Sequence, residues 1–199
     1  TIGDPNLYKD EYELITQPQQ ITKADAFINL CHFKQAATSS GVNFFLDNKI
    51  LLAAVKHQDF FDNEHSQITL TSFYIDWCRK DLLIANAAKM GFTITQTAID
   101  STDPKKTPTL VFKRNNGEIC LTFKKIKTRW LWWTTTDQLY FKIPNQYVVP
   151  LQQIFFYGEN FLAPGNIKEY LNYRYGCWLQ VQDYTLLQEH AMVTSFEQI

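Results

Sequence analysis

Several things are missing from this 199-residue chain, and each absence narrows what it does. Nineteen Lys and Arg against twenty Asp and Glu leave a formal net charge of −1. That provides no basic footprint for nucleic acid. No apolar run approaches the roughly 18 residues of a membrane-crossing helix. The four cysteines, Cys31, Cys78, Cys120 and Cys177, include no C-x-x-C pair, which argues against a thiol metal site or redox pair and favours buried thiols; an oxidising compartment would allow one or two disulfides. No asparagine stands in an N-x-S/T sequon, there is no G-x-S-x-G nucleophile elbow, and His32, His57, His65 and His190 have no metal-ligand spacing. No repeat is apparent. The chain begins at Thr1 without a signal-peptide pattern, which is expected of a processed or excised piece.

What is present is a core. Apolar residues make up 45% and aromatics 15% of the chain, which suits a globular domain rather than a disordered chain. Residues 1–20 are polar and proline-containing and read as an arm or linker, leaving 21–199 as one domain. Thr22 is a helix N-cap with Asp25 in the first turn, and Gly41 stops the helix. VNFFL (42–46) is a central strand and KILLAAVK (49–56) a short helix. HQDFFDNEHS (57–66) is a charge-mixed loop. Residues 67–74 alternate as a strand, Asp76 opens a helix ended by Gly91, and 92–99 is a strand. Asn115-Asn116-Gly117 joins strands 109–113 and 118–124 in the strongest hairpin signal of the chain. The run 129–143, TRWLWWTTTDQLYFKI with its flanking threonine, makes a tryptophan-rich hairpin, and the cluster Trp130 to Tyr140 suits core packing or a protein interface. The order of elements is α+β, a mixed sheet flanked by helices.

The stretch from Pro150 to Trp178 closes the chain. Ile154, Phe155 and Phe156 form a strand, Gly158-Glu159-Asn160 the turn and Phe161-Leu162 the return. Asn166 caps a helix with Glu169 three residues on, as in a capping box, and Gly176 ends it. A proline-leucine, an aromatic hairpin, a proline and a helix reading E-Y-L-x-x-x-Y-G-x-W resemble the closing segment of the LicD/fukutin family, and VNFFLDNKILLAAV with AAKMGFTI is similar to the acid-poor amino-terminal region of fukutin. The resemblance implies a nucleotidyltransferase-like mixed sheet with a closing helix near the C-terminus. It implies transfer of phosphocholine, ribitol-phosphate or glycerol-phosphate from a CDP-linked donor to a glycan or glycoprotein acceptor, with Mg²⁺ or Mn²⁺ as cofactor. The compartment would be the Golgi lumen if fukutin-like or the bacterial cytoplasm if LicD-like.

Such chemistry needs clustered carboxylates on adjacent strands to hold divalent ions against phosphate charge. The family pattern places G-T-L-L-G after the first core strand, then a basic residue, a D-x-D and a later aspartate. Here Lys49 and Ala53 replace both glycines, while Lys56 keeps the basic position with His57 beside it. Those two are the candidate substrate-binding residues. Asp62-Asn63-Glu64 is the nearest D-x-E, making Asp62 and Glu64 the candidate catalytic and metal-binding pair if the chain is active. Aligned instead by apolar positions, Gln67 and Thr69 fill the acidic slots, and Leu121 or Thr122 stands where the third acid belongs. The expectation is a degenerate, non-catalytic or substrate-positioning module in glycan phosphodiester modification. An active transferase and an interaction module using the tryptophan-rich hairpin are the alternatives.

Overall fold

The computed structural model describes residues 21–62, 65–98, 107–125, 128–129, 132–133, 135–136 and 142–179. The arm 1–20, Glu64, Asp100, Trp130, Tyr140 and His190 lie outside them. Helix α1 (Lys23–Ser40) begins where the Thr22 hydroxyl accepts from the Asp25 N–H and ends at Gly41, φ 67°. Strand β1 (Phe44–Leu46) leads through Asp47 into α2 (Asn48–Lys56). Strand β2 (Gln67–Phe73) runs into a 3-10 segment, Tyr74–Arg79, and α3 (Lys80–Lys89). Asp76 does not cap that helix. Its buried carboxylate lies inside the 3-10 turn, accepting from the Asn43 N–H at 3.1 Å and from Arg79 at 2.7 Å.

Strands β3 (Thr93–Ala98), β4 (Thr109–Arg114) and β5 (Gly117–Lys124) follow. Asn115 and Asn116 both have positive φ, 48° and 60°, the pairing of angles that a two-residue type I′ hairpin requires and asparagine tolerates. The tryptophan-rich run departs from one long hairpin. Two short ribbons form, β6 (Thr128–Arg129) with β7 (Trp132–Trp133), and β8 (Thr135–Thr136) with β9 (Lys142–Ile143). After the short α4 (Asn145–Val148) come β10 (Gln152–Phe156) and β11 (Glu159–Ala163), then α5 (Ile167–Tyr175). The β10–β11 turn is Tyr157-Gly158, with φ 52° and 80°, so Glu159 and Asn160 already belong to the return strand.

Seven strands form one mixed sheet in the order β10-β11-β1-β2-β5-β4-β3. Register decides its two faces. Parallel partners β2 and β5 place Ile68 beside Ile119 and Leu70 beside Leu121, all buried, on one face. Helix α1 covers this face, with Phe33 fully buried among the rings of Phe44, Phe92 and Phe112. The opposite face carries Gln67 beside Glu118, Thr69 beside Cys120, Thr71 beside Thr122 and Phe73 beside Lys124. Period-2 alternation therefore separates an apolar face from a hydroxyl-rich one.

Helices α4 and α5 are tied together at the sheet's far end, where the Gly165 N–H donates to Val148 O at 2.9 Å and the Asn166 N–H to Tyr147 O at 3.0 Å. A Cβ on Gly165 would lie 2.0 Å from Pro150 O. Only glycine allows this backbone approach. Gly165→Ala is expected to cost about 1–3 kcal/mol through forced backbone displacement, read as a lower midpoint in thermal unfolding.

Candidate functional site

Asp47 sits where the apolar strand β1 ends and α2 begins, and the local reasons are plain. It caps α2, its carboxylate accepting from the Asn48 N–H at 2.7 Å, and a negative group at a helix N-terminus is favoured by the aligned peptide dipoles. Asn48, with φ 51°, turns the chain into the helix. The side chain of Asp47 is only 1% exposed.

Four distant side chains converge on it. Oδ1 accepts from the Tyr170 hydroxyl at 2.5 Å and Arg174 Nη1 at 2.7 Å; Oδ2 accepts from Thr71 Oγ1 at 2.5 Å and Lys124 Nζ at 3.0 Å. Tyr170 and Arg174 are four residues apart on α5, and so share one helix face. Arg174 also donates to the Asn48 side-chain oxygen. With the Asn48 N–H included, the carboxylate's roughly four lone-pair sites are filled. Two cations around one buried anion leave a positive charge over.

Burial by itself would raise the pKa of Asp47. The Arg174 guanidinium, then the Lys124 ammonium, with hydrogen bonds from Thr71 and Tyr170, outweigh it and hold the carboxyl well below the usual carboxylate range. The folded value lies below that of the unfolded chain, about 3.9, so the stabilisation is fully present above that pH and is lost as pH falls towards the folded value. Urea midpoints are expected to hold between about pH 7 and 5 and to drop below about pH 4, and Asp47→Asn should remove the part of that drop owed to this residue.

The hydroxyl-rich face next to this cluster is where adjacent strands would present metal-binding acids. Thr69, Thr71, Cys120 and Thr122 occupy it; Leu121 is fully buried on the other face. Glu118, the acid on this face of β5, is ion-paired with Lys113 at 2.7 Å. Among the described residues no three His, Cys, Asp or Glu side chains group as a metal site. Threonine hydroxyls carry no charge to offset a divalent ion, and Lys124 and Arg174 repel one. These residues do not fit Mg²⁺ or Mn²⁺. The Cys120 thiol is pushed up by burial and by the Glu118 carboxylate, which disfavours the reactive thiolate. All four cysteines are free thiols, and none is fully buried: Cys78 and Cys177 are exposed, Cys31 and Cys120 half-buried.

The residues singled out from the sequence lie elsewhere. Asp62 is 89% exposed and paired with Lys23 Nζ at 2.6 Å, with Asp59 on the same ammonium at 3.0 Å; Lys23 holds the Asp62 carboxyl below its ordinary value. Glu64 lies outside the described residues. Lys56 closes α2 and donates to Leu179 O at 3.3 Å, while His57 is the C-cap, edge-on to Phe61. Lys56 and His57 stand at the opposite end of α2 from Asp47, roughly 13 Å away at 1.5 Å per residue. Asp47, Thr71, Lys124, Tyr170 and Arg174 went unmarked in the sequence. The available signal was an aspartate directly after a wholly apolar strand and directly before an amphipathic helix.

The seven-stranded mixed sheet flanked by helices is a fold shared with a nucleotidyltransferase structure. The solution structure of the antibiotic-resistance factor ANT(2'')-Ia, an aminoglycoside nucleotidyltransferase, is similar with a TM-score of 0.51 at 12% identity, covering 76% of this chain and 73% of that one. A crystal structure of ANT(2'')-Ia in complex with adenylyl-2''-tobramycin aligns with a TM-score of 0.48 at 10% identity, covering 75% and 76%. No family model and no curated protein matches the chain. The resemblance to LicD/fukutin is thereby corrected: the neighbour at TM-score 0.51 belongs to a different nucleotidyltransferase family, no family model or curated protein supports LicD/fukutin, and nothing bears on glycan phosphodiester modification. The misleading residues are the β10–β11 hairpin at the edge of the sheet and the Tyr170–Trp178 run, which supplies Tyr170 and Arg174 to Asp47. Among the described residues no helix is long and apolar enough to cross a membrane.

Proposed function

We propose that this chain is a nucleotidyltransferase-fold module in a non-catalytic role, binding or positioning a partner without metal-assisted nucleotidyl or phosphodiester transfer. One observation carries the reading: Asp47, the buried carboxylate beside the β2–β5 face, is committed to Arg174, Lys124, Thr71 and Tyr170. A metal ion placed there would have to break a saturated ion cluster and face two cations. In this reading the cluster welds α5 to the head of α2 and to the sheet. Asp62 is a surface ion-pair residue, and Lys56 and His57 finish a helix.

Calorimetric titration with ATP and CTP, with and without Mg²⁺ or Mn²⁺, tests it. The expected result is no heat that depends on the metal. Metal-dependent nucleotide binding that disappears in Asp62→Asn/Glu64→Gln would overturn the reading in favour of an active transferase built on those two acids.

A further inference from the structure

The two edges of the seven-stranded sheet are finished differently. At one end, β3 meets β4 with a register shift between Ile94 and Gln96, an irregularity of the kind that bends a strand and blunts an edge. At the other end, β10 pairs with β11 from Gln152 to Phe156 without a break in register. Sheet edges are ordinarily protected by charge, proline or a bulge, because their unpaired N–H and C=O groups are a template for another strand. β10 has none of these. From Leu151 to Gly158 the chain reads LQQIFFYG, with no charged residue and no proline.

Register shows which backbone groups are left over. Tyr157 and Gly158, both at positive φ, make a two-residue hairpin turn, so Phe156 and Glu159 form a hydrogen-bonded pair. Along an antiparallel ladder such pairs alternate with non-bonded ones, which makes Ile154 with Phe161 and Gln152 with Ala163 the further bonded pairs. Gln153 and Phe155 therefore aim their N–H and C=O groups away from β11, and among the described residues no backbone group receives them. Their side chains are exposed as well, Phe155 to 61%. The strand is held in place from the α1 side. Phe156 is fully buried, edge-on to Phe27 and Phe60, and Tyr157 stacks on Phe27 at 4.9 Å.

This edge is complementary to itself. A two-fold contact sets a patch against the same patch of the partner, so a charge of one sign would be set against its own kind, and here there is none. An antiparallel approach centred on Ile154 places Gln153 against the partner's Phe155 and Phe155 against the partner's Gln153. Each of these pairs exchanges N–H···O bonds in both directions. Between them Ile154 meets the partner's Ile154, apolar against apolar, on the α1 face of the sheet. We propose that β10 is a dimerisation edge, at which a second copy of this chain adds its own β10 antiparallel and the two sheets become one. One strand pair with its flanking side chains is smaller than the roughly 1,200–2,000 Å² of stable complexes, which makes this a weak, reversible pairing. It does not depend on whether the β2–β5 face is catalytic.

Sedimentation velocity from about 5 to about 500 µM, the span of weak association, tests it together with amide hydrogen exchange in the same samples. The chain is expected to be monomeric at the low end and increasingly dimeric towards the high end. The Gln153 and Phe155 amides should slow as dimer forms, while the Ile154 amide, bonded to β11, is slow throughout. Gln153→Pro is the specific variant. Its N–H points outward, where an edge strand tolerates proline, so the β10–β11 ladder and the unfolding midpoint of the monomer should survive while association weakens about tenfold, the order of one to two lost hydrogen bonds. Phe155→Lys, at an exposed position, sets like charges near the two-fold axis and should act in the same direction. A chain that stays monomeric to the highest concentration would overturn the proposal and leave the edge to a strand of another protein. A dimer that persists undiminished in both variants, or that forms without slowing the Gln153 and Phe155 amides, would overturn it too.

Discussion

Asp47→Ala is expected to destabilise the protein by about 3–5 kcal/mol, because it strands buried cations without their counter-ion. Lys124 is 14% exposed at its side chain and Arg174 6%, so neither is well placed to recover solvation where it stands. Non-additivity is expected as well. Arg174→Met alone also breaks the cluster, but Asp47→Ala combined with Arg174→Met should cost clearly less than the two single losses added together, since residues in one ion network couple. Urea denaturation of the three variants measures both quantities. Folding stability is typically about 5–15 kcal/mol, so Asp47→Ala should move the midpoint far, and could leave the chain unfolded at physiological temperature. A loss below about 1 kcal/mol, the level of an exposed ion pair, would mean that the cluster is solvated and does not weld α5 to α2.

Phe33→Ala is expected to have an effect of similar size for a different reason. Its side chain is fully buried, with ring centroids 5.0 Å from Phe112, 5.6 Å from Phe44 and 5.9 Å from Phe92. These rings come from α1, β1, β4 and the residue leading into β3, so Phe33 is the point at which the first helix grips the sheet. Truncation removes the transfer energy of the ring and leaves a cavity, together about 3–5 kcal/mol. Phe155→Ala is the control. That ring is 61% exposed, and its removal should stay within about 0.5 kcal/mol. Thermal unfolding of the two variants side by side distinguishes burial from aromatic content.

Much of the fold is written locally. Thr22 and Asn166 cap helices, Gly41 and Gly176 end them, and Asn115-Asn116 turns a hairpin, each through atoms within a few residues of one another. The alternation of 67–74 and the hairpin strand 118–124 mark two strands that the structure forms as Gln67–Phe73 and Gly117–Lys124. The site was legible only in part. The slots that the LicD/fukutin pattern offered, Asp62 and Glu64 or else Gln67 and Thr69, fall with that resemblance, and the Asp47 cluster was not visible in the sequence. Asp47 meets Thr71 across 24 residues, Lys124 across 77, Tyr170 across 123 and Arg174 across 127. No spacing rule links positions that far apart, and an aspartate before a helix reads first as a cap, which it also is. Asp62 stands out in the sequence because acids cluster in its loop; in the structure it pairs with Lys23. The kinship misread from Pro150–Trp178 has a similar cause. Hairpin, cap and closing helix follow from local turn, capping and packing requirements, so they carry no family by themselves.

The central claim is that the Asp47 carboxylate is already occupied by protein cations and leaves no seat for a catalytic metal. Mn²⁺ titration of the isotopically labelled protein, with and without ATP or CTP, tests that claim at the atoms concerned. Paramagnetic broadening should leave the Asp47 carboxyl and the Thr69, Thr71 and Thr122 resonances untouched at concentrations where exposed acids such as Asp62 begin to respond. Early, nucleotide-enhanced broadening centred on Asp47 and Thr71 would contradict the account.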